Sequence, residues 1–353
     1  MKIFLGGDVC PKHEKVNDLF RADDAKALFS DVAPIMQEAD LTFVNLECCL
    51  GDKGEPIKKF GPNLRACAET AQTLKAAGVD LVGLSNNHYF DYGKAAVVES
   101  VKALDAAGLA ATGYGKDYED SRKNYVVEKD GQKICFIAVC EHEYSYALPD
   151  REGSRPYDPY DTIWDIRKAK EQYDRVIVIY HGGKEHCQYP SPRVRQAFHA
   201  MAKNGADVVV GQHSHCICCY EQVDGAHLFY GQGNFHFLWE NSKPTWNTAL
   251  EMIYDTKTNE VSFVPTVHDY TTWGIRLANE EEKKAILEGF EERNKSLQDG
   301  TWKDGWHAFA ESVKENYLAS IKPADVFGHY LDCEAHTDVW RELFYTYNWT
   351  NEK

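Results

Sequence analysis

The feature that most constrains the fold of this sequence is the alternation of short apolar runs with stretches of helical periodicity. Apolar runs at residues 79–84 and 175–180 are followed by segments at 93–107 and 193–204, in which apolar residues recur at helical spacing. Such alternation is typical of parallel β-α-β units. We therefore predict an α/β fold in which mixed β-sheets are flanked by helices.

The remaining elements follow the same signals. Further strands are predicted at 3–5, 41–47, 206–210, 217–222, 226–230 and 250–254, and further helices at 25–39 and 69–77. Pro34 is expected to interrupt the first of these helices, because proline removes a backbone donor. Residues 125–128 and 133–139 are predicted to form a hairpin across residues 129–132. The short links between the later strands indicate an antiparallel part.

The composition changes beyond about Thr271. Residues 279–320 are rich in Glu, Lys and Ala with helical periodicity, and the C-terminal part carries tryptophans at 302, 306, 340 and 349. We predict a core over residues 1–275 and a helical C-terminal extension over 276–353, packed on the core through its aromatic side chains.

Charge, apolar runs and cysteines narrow the function classes. The 55 acidic residues against 39 basic ones give a net charge of -16, which argues against a nucleic-acid partner. The sequence has no run typical of a signal peptide or a membrane span, so we expect a cytoplasmic protein, although a leader trimmed from the sequence would leave the same picture. The 11 cysteines are interpreted as small buried hydrophobes rather than a zinc site or a redox centre.

Polar side chains that can bind metal ions or transfer protons lie directly after the predicted strands. They are Asp8, Asn45, Glu47, Asn86, Asn87, His88, Asp91, His181, His213 and His215. Each has a structural explanation when taken alone, as a cap, a turn former or a hydrogen-bonded histidine. Because the carboxyl ends of strands form the ligand crevice of open α/β sheets, five such strand ends are expected to converge. Carboxylates and imidazoles together favour a divalent metal site.

The order of these motifs resembles the CapA/PgsA-type capsule-synthesis family, which is named for poly-γ-glutamate capsule biosynthesis and is related to calcineurin-like metallophosphoesterases. The motifs are Gly7-Asp8, Asn45-Leu46-Glu47, Asn86-Asn87-His88 with Asp91-Tyr92-Gly93, His181-Gly182-Gly183, Gly211-Gln212-His213-Ser214-His215 and Gly233-Asn234-Phe235. The resemblance covers residues 1 to about 240. It implies a layered metallophosphoesterase-like core.

The resemblance also implies roles for individual residues. The implied ligands of two divalent ions, Mn, Zn or Fe, are Asp8, Glu47, Asn87, His181, His213 and His215. His88 is the implied catalytic group, oriented by Asp91. Further candidates for ligands or supporting groups are Cys10, Asn45, Glu185 and Asn234. Cys10 stands where the family has a histidine, and Gly182 where it usually has a tryptophan.

The function implied is a metal-dependent hydrolase of phosphoester or γ-glutamyl amide bonds in capsule or exopolymer metabolism. The alternative is a non-catalytic polymer-binding or assembly protein on the same scaffold, which Cys10 favours slightly and His88 disfavours. Expected partners are an anionic polymer or phosphorylated substrate and other capsule-synthesis proteins. Cations that are candidates for receiving such a substrate are Lys58 and Lys59 above all, and Arg65, Lys184, Arg193 and Arg195 unless they are solvated surface charges.

Overall fold

A computed structural model describes residues 1–141, 143–240, 242–322 and 324–344. The strands are β1 (Lys2–Val9), β2 (Leu41–Leu46), β3 (Cys49–Leu50), β4 (Arg65–Ala66), β5 (Leu81–Gly83), β6 (Ala110–Thr112), β7 (Tyr114–Gly115), β8 (Tyr125–Lys129), β9 (Gln132–Cys140), β10 (Gly153–Ser154), β11 (Arg175–His181), β12 (Val208–Gln212), β13 (Tyr220–Val223), β14 (Ala226–Phe229), β15 (Thr248–Asp255), β16 (Glu260–Asp269) and β17 (Gly274–Leu277).

The helices alternate with the strands in the first two thirds of the chain and follow one another afterwards. They are α1 (Glu14–Arg21), α2 (Ala25–Phe29), α3 (Ala33–Glu38), α4 (Thr70–Ala77), α5 (Gly93–Ala107), α6 (Tyr118–Ser121), α7 (Pro159–Gln172), α8 (Pro192–Lys203), α9 (Glu280–Asp299), α10 (Trp302–Ala319), α11 (Ala324–Asp332) and α12 (Glu334–Phe344). Within the described ranges, none of these helices combines the length and apolar character that crossing a bilayer requires.

Two mixed sheets form the centre of the molecule. The first has the order β17-β16-β15-β1-β2-β5-β6, and the second has the order β13-β14-β12-β11-β9-β8. Strands β1, β2, β5 and β6 run parallel in the first sheet, as do β9, β11, β12 and β14 in the second. The parallel strands of each sheet therefore end at a common edge.

The sheets face each other across a shared apolar core. Phe43 of β2 stacks on Phe136 of β9, with ring centroids 6.2 Å apart. On the outer side of the first sheet, helices α1 to α5 contribute buried side chains such as Phe20 and Leu74, and α7 and α8 cover the second sheet with side chains such as Phe198. The mixed sheets flanked by helices are thus confirmed as a layered α/β core.

The local predictions are confirmed in type more often than in length. The helix predicted over 25–39 is interrupted, but the break lies at residues 30–32, and Pro34 occupies the first turn of α3. The hairpin is tighter than predicted, because Asp130 and Gly131 alone link β8 and β9, both at positive φ. The strand predicted at 217–222 is shorter and begins at Tyr220. The elements that were not predicted from the sequence are α1, α6, α7, β3, β4, β6, β7, β10, β16 and β17.

The C-terminal helices pack on the second sheet through aromatic side chains. Trp302 joins the core beneath α8, and Trp306 packs with Val339 of α12 in a separate apolar cluster. Trp340 lies partly buried against that cluster, whereas Trp349 lies outside the described residues. The division of the chain into a core over residues 1–275 and an extension over residues 276–353 stays a prediction.

Candidate metal centre

The ends of four parallel strands bring the predicted ligands together. Asp8 lies in β1 beside Asn45 of β2, Glu47 follows β2, and His181 ends β11 beside Gln212 of β12. The edge at which these strands end therefore carries carboxylate, amide and imidazole groups, all of them buried.

Hydrogen bonds connect the two sheets at this edge. The Asn45 side-chain amide donates to Asp8 Oδ1 at 2.8 Å and lies 3.2 Å from His181 Nδ1. His181 Nε2 lies 2.9 Å from Asn87 Oδ1 and 3.4 Å from Glu47 Oε1. Asp8, Glu47, Asn87 and His181 therefore surround one space, with Asn45 as a supporting group.

Two groups of potential ligands share Glu47. One consists of Glu47, His181 and His213, and the other of Asp8, Glu47 and His215; in each, the ligand atoms lie within 4.8 Å of one another. A third group joins Glu185 to both His213 and His215. Such an arrangement suits two neighbouring cations bridged by a carboxylate.

The environment of Glu47 supports this fit. Its side chain is 0% exposed, and neither carboxylate oxygen has a hydrogen-bond partner among the described residues. Burial raises the pKa of this carboxyl group. A buried carboxylate without a hydrogen-bond partner is costly in free energy, and a divalent cation would supply the missing interaction.

The carboxylates of the site also shift the pKa values of Asp8 and His215. Burial, followed by the proximity of Glu47, raises the pKa of Asp8 to about 6. Burial alone would lower the pKa of His215, but Glu47, Glu185 and Asp8 raise it above its usual value. Three carboxylates thus create a negative potential that favours a cation.

The loop after β12 holds two histidines in an uncommon backbone conformation. His213 and His215 have φ angles of 80° and 53°, in the left-handed region. Non-glycine residues in this region are uncommon and strained, and strain of this kind clusters at functional sites. The turn is fixed by the His213 amide, which donates to Asp8 Oδ2 at 2.9 Å.

His88 and Asp91 form the predicted pair beside the ligands. His88 Nδ1 lies 2.6 Å from Asp91 Oδ2, so the carboxylate accepts the Nδ1 proton and leaves Nε2 for other contacts. Burial and the nearby Lys59 lower the pKa of His88. The imidazole is thereby held neutral in a fixed orientation.

Lys59 is buried beside His88 and Asp91 and is not exposed where an incoming substrate would meet it. Its side chain is 2% exposed, its ammonium pairs with Asp91, and it lies 3.1 Å from His88 Nδ1. Lys58 is exposed. Among the other candidate cations, Arg193 pairs with Glu141 and Asp338, and Arg195 pairs with Glu221. Arg65 donates to backbone carbonyls and lies over Tyr92, while Lys184 is half-buried.

Of the remaining candidates, Asn234 and Glu185 lie near the predicted histidine ligands, whereas Cys10 does not belong to a ligand group. Asn234 Oδ1 lies 2.8 Å from His215 Nδ1 and orients that ring. Glu185 Oε1 lies 3.8 Å from His213 Nε2. Cys10 packs in the apolar cluster under α1 to α5 and belongs to none of the three ligand groups found among the described residues.

Three nearby residues were not assigned a site role from the sequence. Asn86 donates to Asn45 Oδ1 and to the Leu46 carbonyl, and it accepts the His88 amide. Trp246 lies 4.3 Å from His215, ring to ring. Glu141 bonds the backbone just after His181. A signal was available for Asn86, which stands in the Asn86-Asn87-His88 motif, and for Glu141, which follows an apolar strand as Glu47 does.

The fold and the site define a layered α/β protein with a candidate two-cation centre at its strand ends. Residues 2–238 match the family model described as bacterial capsule synthesis protein PGA_cap, and the chain belongs to this family.

Two curated relatives and one solved structure are similar to this chain. The chain is 30% identical over 220 residues to the capsule biosynthesis protein CapA of Bacillus anthracis, covering 60% of this chain and about half, 53%, of that relative. It is 28% identical over 283 residues to the PGA biosynthesis protein CapA of Bacillus subtilis, covering 78% of this chain and 73% of that protein. A hypothetical protein from Thermus thermophilus aligns with a TM-score of 0.46 at 16% identity, over 75% of this chain and 98% of that one.

Proposed function

We propose that this protein is a metal-dependent hydrolase that cleaves a phosphoester or a γ-glutamyl amide bond in capsule or exopolymer metabolism. The observation that carries the proposal is Glu47, a fully buried carboxylate without a hydrogen-bond partner in the described structure, shared by two groups of ligands. Membership in the capsule-synthesis family supports the biological setting.

The proposed ligands divide between two positions. Asp8, Glu47 and His215 would hold one ion, and Glu47, Asn87, His181 and His213 would hold the other. Divalent ions, when bound, polarise the scissile bond and activate water. Manganese, zinc and iron are the candidates, because imidazole and carboxylate suit all three.

The chain's own residues would complete the reaction. His88 is neutral and oriented by Asp91 through its Nδ1 proton, so its Nε2 would accept a proton from the attacking water and return that proton to the leaving group. Lys59 pairs with Asp91 and holds that carboxylate in place rather than receiving substrate. The negative potential left by the carboxylates would be offset by the ions, which permits an anionic polymer as substrate.

The test combines metal content with turnover. The metal-free chain is loaded with Mn, Zn or Fe and assayed on a phosphodiester and on poly-γ-glutamate. We expect His88→Ala to lower kcat by about 10²–10⁴-fold without changing metal content. His199→Ala, on α8 beside Glu221, is the matched control and should retain full activity. A loaded wild-type chain inactive on both substrates would contradict the hydrolase.

One observation favours the second candidate, a non-catalytic polymer-binding or assembly protein. Cys10 lies in an apolar cluster, so the position of Asp8, Glu47 and His215 lacks a ligand from this residue. Metal-dependent binding of poly-γ-glutamate without cleavage would support this candidate.

A further inference from the structure

A buried glutamate holds the backbone that follows His181. Glu141 comes directly after β9, and its amide donates to the His181 carbonyl at 3.0 Å. Its Oε2 accepts the Gly183 amide at 2.6 Å, and its Oε1 accepts the Tyr180 hydroxyl. A Cβ at Gly182 would lie 2.6 Å from Glu141 Cγ, so glycine leaves the room that this side chain occupies.

The same carboxylate is linked to the C-terminal helices. Arg193 of α8 places Nη2 2.5 Å from Glu141 Oε1 and 2.9 Å from Asp338 Oδ2. Asp338 lies on α12 and also accepts the Ser191 hydroxyl at 2.6 Å. The contacts of Glu141, Arg193 and Asp338, here called the Glu141 relay, thus run from α12 to the loop that follows a candidate metal ligand.

We infer that the Glu141 relay is a positioning device, through which α12 sets the orientation of His181 for metal binding. The inference rests on the proposed metal centre, and it assigns a role to a helix beyond residues 2–238, the part matched by the family model.

Two observations distinguish this role from general packing. A partly buried guanidinium held between two buried carboxylates is an expensive way to dock a helix, because apolar side chains would do so at least as well. The relay also ends on the backbone of residues 181–183, because the Glu141 amide donates to the His181 carbonyl and Glu141 Oε2 accepts the Gly183 amide. Outer groups of this kind tune metal affinity by fixing the ligand.

The test compares two ion pairs formed by arginines of α8. Arg193→Ala and Asp338→Asn break the relay. Arg195→Ala is the matched control: it breaks the pair with Glu221, and the Arg195 side chain is 24% exposed against 25% for Arg193. Metal-free proteins are titrated with Mn²⁺ and Zn²⁺ by calorimetry and with Co²⁺ by visible absorption, and thermal unfolding is followed in parallel.

We expect both relay variants to bind the ions about tenfold more weakly and to shift the Co²⁺ spectrum. Arg195→Ala should lose stability yet keep the wild-type affinity and spectrum. Unchanged affinity and spectrum in the relay variants, with a wild type that binds metal, would overturn the relay alone. A wild type that binds no ion would overturn the proposed function as well. If Arg193→Ala does not fold, Asp338→Asn decides, because its amide retains the shape at Ser191.

Discussion

Glu47 and Glu141 occupy equivalent places in the two sheets and have opposite surroundings. Each follows a parallel strand, and each is fully buried. Glu141 is matched by the Arg193 guanidinium, the Tyr180 hydroxyl and the Gly183 amide. Glu47 has no hydrogen-bond partner in the described structure. One carboxylate is supplied with a cation by the chain itself, and we propose that the other receives a cation from solution.

The largest effect should come from removing the carboxylate that is already matched. Glu141→Ala leaves the partly buried Arg193 with Asp338 as its remaining carboxylate, and breaking a buried pair costs about 3–5 kcal/mol. We expect a loss near the lower end of this range in the free energy of unfolding, measured by urea denaturation. A loss below about 1 kcal/mol, the value of an exposed pair, would show that the comparison overstates the contribution of Glu141.

The second effect concerns metal affinity at Glu47. Glu47→Gln removes the shared ligand, so we expect binding weakened by at least about 100-fold, the upper end of what outer groups contribute. Calorimetric titration measures this change. Glu221→Gln is the control, because it alters a partly buried glutamate paired with Arg195, away from the ligand groups. Equal affinities in the two variants would contradict the role of Glu47.

The third effect is a pH dependence of the metal-free protein. The pKa of Asp8 is about 6 in the fold and 3.8 in an unfolded chain, so between these values the folded state binds the extra proton. Stability should therefore fall by about 3 kcal/mol as pH rises from 3 to 7, at 1.36 kcal/mol per pKa unit. The difference from Asp8→Asn in urea denaturation isolates this contribution. Bound metal should abolish it, and an identical slope in the variant would count against it.

The smallest effect tests the space beside Glu141. Gly182→Ala places a methyl group 2.6 Å from Glu141 Cγ, so we expect a loss of about 1 kcal/mol from overpacking. Gly328→Ala on α11 is the control, because its Cβ would meet nothing within 4 Å. A thermal unfolding midpoint for Gly182→Ala equal to that of the control would show that the loop yields freely.

Glu47 could be predicted from the sequence, whereas the role of Glu141 could not. Glu47 was predicted because it belongs to a motif that ends a strand, and α5 was predicted with its bounds because glycine ends it at Gly108. Local signals of this kind survive folding. Strand β16 was missed because Pro265 within the run weakens the strand pattern.

What escaped prediction depends on contacts between distant parts of the chain. Arg193 meets Asp338 across 145 residues, and Lys59 meets Asp91 across 32, so both were interpreted as cations available for substrate. The left-handed turn at His213 and His215 is likewise imposed by Asp8 from the other sheet.

The central claim is that Glu47 bridges two cations, and metal content tests it most directly. Wild type and Glu47→Gln are incubated with Mn, Zn or Fe, dialysed and analysed by elemental mass spectrometry. The account predicts about two ions per wild-type chain and a loss of both in the variant. A wild-type chain without ions, or a variant that retains the wild-type content, would contradict it.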